Sequence, residues 1–153
     1  MLFSTIDAWL IGFDRKHVQI WARWALFIIF FWFGILKVLG VSPAADLVAA
    51  LLQVTMPGAP FEGFMIFFGF VEMLIGTLFL IKGQTRLAIL LLLLHMVTTV
   101  LPLILLPSIA WAGWLTPTLE GQYIIKNVAL VALAVALGAY LEPLKPQKKS
   151  KRK

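Results

Sequence analysis

The stretch GFVEMLIG, from Gly69 to Gly76, decides the fold because it places one carboxylate, Glu72, inside a long apolar run. A charged side chain at the centre of a bilayer costs about 2.5 to 3.5 kcal/mol even on the mildest insertion scale, so an acid there needs a partner or a role. The i, i+3 and i+7 spacing places Gly69, Glu72 and Gly76 on one helical face, where the glycines let a neighbouring backbone come close. We therefore predict that Glu72 points inward, toward other helices.

The composition around this stretch is that of a membrane protein. Hydrophobic residues make up 61% of the 153 residues and charged residues only 13%, with a mean hydropathy of +0.97, whereas soluble domains are about a quarter charged. Cysteine is absent, so the chain carries no disulfide, thiolate metal site or thiol redox centre of its own. Six of the 13 basic residues lie in residues 145–153. That clustering favours a tail beside anionic lipid over nucleic-acid binding.

The hydrophobic pattern predicts an all-α fold, a single polytopic four-helix bundle over residues 1–153. The predicted spans are approximately residues 23–40, 61–81, 87–106 and 121–141, and residues 142–153 form a basic tail. The first span is long enough only if Lys37 lies near its outer end, where the long stem can snorkel to the interface. Residues 1–20 mix aromatic and charged side chains, which predicts an N-terminal interfacial helix. Pro43 to Gln53 should form a short outer-side helix between spans 1 and 2.

The basic residues predict the orientation. They lie at or before the start of span 1, between spans 2 and 3, and after span 4, whereas the other two loops have no basic residue. The basic residues on this side are Arg15, Lys16, Arg23, Lys82, Arg86 and those of the tail. Positively charged loops face the cytoplasm. We therefore expect a multi-pass protein of the bacterial inner (plasma) membrane with both termini cytoplasmic and the lipid bilayer as its first partner.

Depth along the spans predicts a buried polar group. Glu72 and His95 lie near the midplane, whereas Lys37 and Lys126 lie in the outer leaflet. Donors beside a quinone carbonyl or a small anion would stabilise negative charge, and a midplane carboxylate beside a histidine could pass protons. The spacing alone does not separate these two ligands. The candidate pocket, open to the outer face, comprises Lys37, Glu72, His95, Thr98, Thr99, Gln122, Tyr123, Lys126 and Asn127.

A purely structural interpretation stands beside this one. An ion pair of Glu72 with Lys37 or Lys126 would fix helix register without any chemistry, as polar side chains do between membrane helices. No second histidine shares the face of His95, so no metal site is predicted.

Four segments in this order resemble the DoxX family of small bacterial membrane proteins, which includes the DoxD-type subunit associated with thiosulfate:quinone oxidoreductase. They are FWFGILKVLG at Phe31–Gly40, SPAADLV at Ser42–Val48, GFVEMLIGTLFL at Gly69–Leu80 and EGQYIIKNVALV at Glu120–Val131. The resemblance leaves out the N-terminal helix, the third span and the tail.

This resemblance implies a four-helix bundle linked to redox or sulfur metabolism, and it assigns no catalytic residue. The expected function is thus that of a membrane subunit of a quinone- or sulfur-linked redox assembly, with a quinone as the cofactor to test for and a soluble redox subunit as the partner. Whether the chain is itself an enzyme, and whether it forms a homodimer, stay open. The alternatives are a small anion or proton transporter and a non-catalytic membrane scaffold.

Overall fold

The computed structural model describes residues 2–143, except for the side chains of residues 2–5, 8, 10 and 14–16, and most of these residues are helical. The helices are α1 (Leu2–Val38), α2 (Ala45–Thr55), α3 (Phe61–Leu80), α4 (Thr85–Val100), α5 (Pro102–Leu105), α6 (Pro107–Ala110), α7 (Leu119–Lys126) and α8 (Val128–Gly138). A two-stranded antiparallel hairpin joins α6 to α7, with strands β1 (Trp111–Gly113) and β2 (Thr116–Pro117).

Four helical segments are long and apolar enough to cross a membrane: His17–Val38, Phe61–Leu80, Thr85–Leu105 and Leu119–Gly138. The prediction of a helical protein with four apolar spans is thereby confirmed. The third segment contains α4 and α5, which part at Leu101 because Pro102 has no amide hydrogen for the helical ladder. The fourth contains α7 and α8, which part at Asn127.

The first span is the second half of a much longer helix. With 37 residues, α1 is about 55 Å long at 1.5 Å per residue, whereas a bilayer core is about 30 Å thick. No break separates the N-terminal segment from the span, so the N-terminal segment is not a separate helix. That this segment lies in the membrane interface stays a prediction. The predicted tail, residues 142–153, lies outside the described residues from position 144 onward.

The turn from α1 into α2 follows its sequence signals with a small shift. Gly40, at φ +73°, ends α1, and the amide of Val41 donates to the carbonyl of Leu36 at 3.0 Å, as in a Schellman motif. The predicted short helix is present, but it begins at Ala45 instead of Pro43. The reason is a turn in which the amide of Ala45 donates to the carbonyl of Ser42 at 3.1 Å.

The most extensive helix contact is between α1 and α3, and it depends on glycine. A Cβ atom built on Gly34 would lie 2.6 Å from the carbonyl oxygen of Gly69, and one built on Gly76 would lie 3.0 Å from the carbonyl oxygen of Phe27. The two backbones therefore touch where any larger residue would separate them. The predicted use of Gly69 and Gly76 as points of close approach is confirmed.

The hydrophobic core lies among α1, α3, α4 and α8, which pack as one bundle. Its buried members are Ala22, Leu26, Phe30, Ile75, Leu78, Phe79, Ala88, Leu92, Met96, Ala134 and Leu137.

Arg23 holds the end of the bundle opposite α2. Its Nη1 donates to the carbonyl oxygen of Phe79 at 2.8 Å and to Thr85 Oγ1 at 2.7 Å. One guanidinium thereby ties α1 to the end of α3 and the start of α4.

The other end of the bundle, over residues 107–120, reads from the sequence as an outer loop with interfacial tryptophans, and the structure builds it from α6 and the hairpin of β1 and β2. Thr118 Oγ1 donates to the carbonyl oxygen of Ile109 at 2.6 Å and accepts from the amide of Gly121 at 3.2 Å, which caps α7. Trp111 Nε1 donates to the carbonyl oxygen of Leu103 at 2.9 Å and fastens the hairpin to α5. Gly121 lies against the Ala110 carbonyl so closely that a Cβ would collide with it.

Candidate functional site: a buried Lys–Glu–His trio

Three predicted site residues meet in the interior. Lys37 Nζ donates to Glu72 Oε2 at 2.7 Å, and His95 Nε2 lies 3.3 Å from Glu72 Oε1. The exposed fractions are only 6%, 6% and 7% for Lys37, Glu72 and His95. Glu72 is therefore turned inward as predicted, and each of its oxygens has its own partner. We call these residues the trio.

The helix directions explain why Lys37 reaches Glu72. Side chains on an α-helix lean toward its N-terminus, and α1 and α3 are antiparallel neighbours, so the two side chains lean toward each other. The stem of Lys37 crosses α3 beside Gly69, where a Cβ would lie 3.1 Å from Lys37 Cβ. The prediction that Lys37 snorkels to the interface is wrong, because its ammonium is directed into the bundle.

Aromatic rings surround the histidine. The His95 ring lies 4.7 Å from the Phe68 ring at an interplanar angle of 33°, and 5.7 Å from the Phe30 ring at 71°. Lys37 Nζ lies 5.9 Å from the centroid of the Phe68 ring, within the range of a cation–π contact. The trio is thus a polar group with apolar walls from α1 and α3.

One polar atom of the trio has no partner. His95 Nδ1 is buried and makes no hydrogen bond to any residue in the described part of the chain. In the tautomer with its hydrogen on Nε2, the ring turns this N–H side toward Glu72 Oε1 at 3.3 Å and leaves an unused lone pair on Nδ1. A buried polar atom left unpaired costs about 1 to 3 kcal/mol, which makes Nδ1 the natural contact point for a ligand or water.

The two threonines near His95 bond to its backbone and not to the side chains of the trio. The hydroxyls of Thr98 and Thr99 donate to the backbone carbonyl of His95, at 2.7 and 3.1 Å. They support the helical turn that carries the histidine.

The residues predicted from the fourth span lie elsewhere. Lys126, Tyr123 and Gln122 are exposed and Asn127 is half-buried. Among the side chains that the structure describes, no carboxylate lies within ion-pair distance of Lys126, and Lys37 is the lysine that pairs with Glu72. The nine predicted residues therefore do not form one group.

Two cavities lie away from the trio. One of about 150 Å³ lies between α2 and the start of α3, and one of about 220 Å³ is lined by residues of the hairpin. The first is lined by Ala49, Leu52, Gln53, Met56, Gly58, Ala59 and Phe61. A pocket that opens from the trio to the outer face stays a prediction.

Sequence reasoning missed the parts of the site that carry no charge. Gly34, Phe30 and Phe68 bring the helices together and enclose His95, and the only signal for Gly34 was its position three residues before Lys37. Aromatic residues are so common in the first two spans that the sequence did not single out these two.

The fold and site together define a class: a helical membrane protein with a buried, internally paired lysine–glutamate–histidine centre. No family model, curated protein or solved structure matches this chain. The resemblance to the DoxX family therefore rests on the sequence segments alone.

Proposed function

We propose that the protein is a DoxX-like inner-membrane subunit of a quinone- or sulfur-linked redox assembly, and that the trio binds the ligand's polar group and accepts its proton. The observation that carries this proposal is the unpaired Nδ1 of His95, buried beside Glu72. A site that served only to neutralise Glu72 would be complete with Lys37. The added histidine, with one nitrogen unused, supplies a hydrogen-bonding function beyond charge neutralisation.

The trio suits a ligand that carries an ionisable hydroxyl, such as a quinol. The hydroxyl donates to the Nδ1 lone pair, and as its proton moves to Nδ1 the proton on Nε2 moves to Glu72 Oε1. Lys37 stabilises the carboxylate between these events. This step moves one proton and no electrons; oxidation of a quinol would in addition need an electron acceptor, which the proposed soluble subunit would supply, and a second base for the other hydroxyl proton. The rings of Phe30 and Phe68 offer apolar surface against which a ligand ring can pack.

The test is the quinone content of protein purified in mild detergent. We expect bound quinone in the wild type and its loss in His95→Leu. That variant removes the hydrogen-bond acceptor Nδ1 and replaces the imidazole by an apolar side chain of similar bulk. Thr99→Val is the matched control, since it removes a hydroxyl that bonds only the His95 carbonyl. Well-folded wild-type protein that never contains quinone would contradict the proposal.

One observation favours a second candidate, proton or anion transport. Glu72 lies 11 residues into α3, about 16 Å from its start and hence near mid-bilayer, where a carboxylate joined to an imidazole can relay protons. Proton flux into proteoliposomes that disappears in Glu72→Gln and persists without any quinone would select this function.

The third candidate, a scaffold, is favoured by the way Glu72 is paired on both oxygens. Removal of one member of a buried ion pair lowers the free energy of unfolding by about 3 to 5 kcal/mol, whereas replacement of both members by apolar residues is often neutral. A scaffold therefore predicts that Glu72→Gln destabilises the protein and that Lys37→Met with Glu72→Leu restores both stability and association with partners. The redox proposal predicts restored stability without restored quinone binding.

A further inference from the structure

Lys126 is a second lysine in a membrane span, and it lies outside the trio. It is the eighth residue of the span Leu119–Gly138, about 10 Å from its start, and its side chain is exposed on the bundle surface. A lysine there needs either an internal partner or a contact from the surroundings.

An internal partner is missing in the part of the chain that the structure describes. The acids at the same end of the bundle are Asp46, Glu62 and Glu120, and none lies within 4.0 Å of the ammonium of Lys126. Lys37, the other lysine of this half, is already neutralised by Glu72. Lys126 thus leaves one positive charge uncompensated on the lipid-facing surface of this leaflet.

Tyr123 fixes where that charge is presented. Lys126 Nζ lies 5.4 Å from the centroid of the Tyr123 ring, within cation–π range. Tyr123 lies one turn nearer the start of the span, and side chains lean in that same direction, so the ammonium is raised toward the headgroup level. The phenol of Tyr123 is exposed at this level and adds a second donor.

We propose that Lys126 and Tyr123 bind the phosphate of an anionic phospholipid in the leaflet on the α2 side. The ammonium supplies the charge and the phenol a hydrogen bond, as expected for a phosphodiester with one net negative charge. A zwitterionic lipid would leave the charge of Lys126 uncompensated. This site shares no residue with the trio, so it is independent of the proposed function.

The absence of cysteine allows a direct test in vesicles. A fluorophore is attached to Gln122→Cys, one turn from Lys126. Its quenching is compared between phosphatidylglycerol and phosphatidylcholine, each brominated near the headgroup end of its acyl chains. The same label on Ser108→Cys, which is exposed at the same end of the bundle in α6, is the matched control. We expect phosphatidylglycerol to be enriched about fivefold near position 122, which corresponds to about 1 kcal/mol for one lysine near anionic lipid, and not near position 108.

The variants separate charge from packing. Lys126→Gln should abolish the enrichment, Lys126→Arg should retain it, and Tyr123→Leu should reduce it. Equal quenching by the two lipids at position 122, or an enrichment that survives Lys126→Gln, would overturn the proposal. If the two lipids quench equally and the label at position 122 responds to inorganic phosphate, but not to chloride of equal ionic strength, the site binds a free oxyanion instead of a lipid.

Discussion

Replacement of Gly69 by alanine should separate α1 from α3 at the point where the trio depends on their contact. The new Cβ would lie 2.7 Å from the Gly34 carbonyl oxygen, 2.9 Å from Val38 Cγ2 and 3.1 Å from Lys37 Cβ. The Gly34 oxygen belongs to the backbone and has no rotamer to change. Ordinary contact begins at 3.4 Å, so the helices must move apart by about 0.7 Å. Overpacking of this kind costs about 1 to 3 kcal/mol.

The unfolding free energy in bicelles, measured by steric trapping, should fall by that amount. Gly63→Ala is the matched control on the same helix, because its Cβ would meet only Pro60 Cγ at an ordinary 3.8 Å. The separation also weakens the Lys37–Glu72 hydrogen bond, so Gly69→Ala should reduce any ligand binding that requires the trio. Equal stability of Gly69→Ala and Gly63→Ala would refute the close approach of the two backbones.

Two further predictions concern the ends of the bundle. Arg23→Lys should lower the unfolding free energy by about 1.5 to 3 kcal/mol in the same assay, because lysine Nζ ends one bond short of the position of Nη1, the nitrogen that donates to both Phe79 and Thr85, and so leaves the buried Thr85 without its donor. Stability equal to wild type would contradict this. Gly121→Ala should destabilise the protein, since its Cβ collides with the Ala110 carbonyl, whereas Gly113→Ala meets nothing within 4 Å and should be neutral. Protease resistance of the two glycine variants in detergent would show the difference, and equal resistance would contradict it.

The features that sequence predicts well are those that follow from the cost of burying charge in an apolar medium. Four apolar runs predict four helices, and an acid in the middle of one run predicts an inward-facing side chain with a partner. The glycines on the same face as Glu72 predict a close helix contact. Each of these predictions rests on a penalty of several kcal/mol, which leaves the chain few alternatives.

The features that the sequence did not predict depend on small differences in local free energy or on the direction in which a helix runs. The hairpin of β1 and β2 depends on local hydrogen bonds such as that of Trp111 to Leu103, which no hydrophobic pattern reveals. The start of α2 moved by two residues because a turn at Ser42 competes with the first helical turn. Such choices differ by about 1 kcal/mol, too little to be read from residue types alone.

Lys37 and Lys126 show how helix direction decides the role of a membrane lysine. Both lie near the same end of the bundle, but α1 ends there and α7 begins there. Because side chains lean toward the N-terminus of their helix, Lys37 leans toward the level of Glu72 and Lys126 toward the headgroups. The first therefore meets Glu72 across the contact of Gly34 with Gly69, whereas the second remains on the surface beside Tyr123. Depth of the backbone alone treats the two lysines as equivalent, whereas span direction, which the sequence already contains, brings one ammonium toward the level of Glu72 and the other toward the headgroups. The helix face that carries each lysine then decides that Lys37 is buried and Lys126 is exposed.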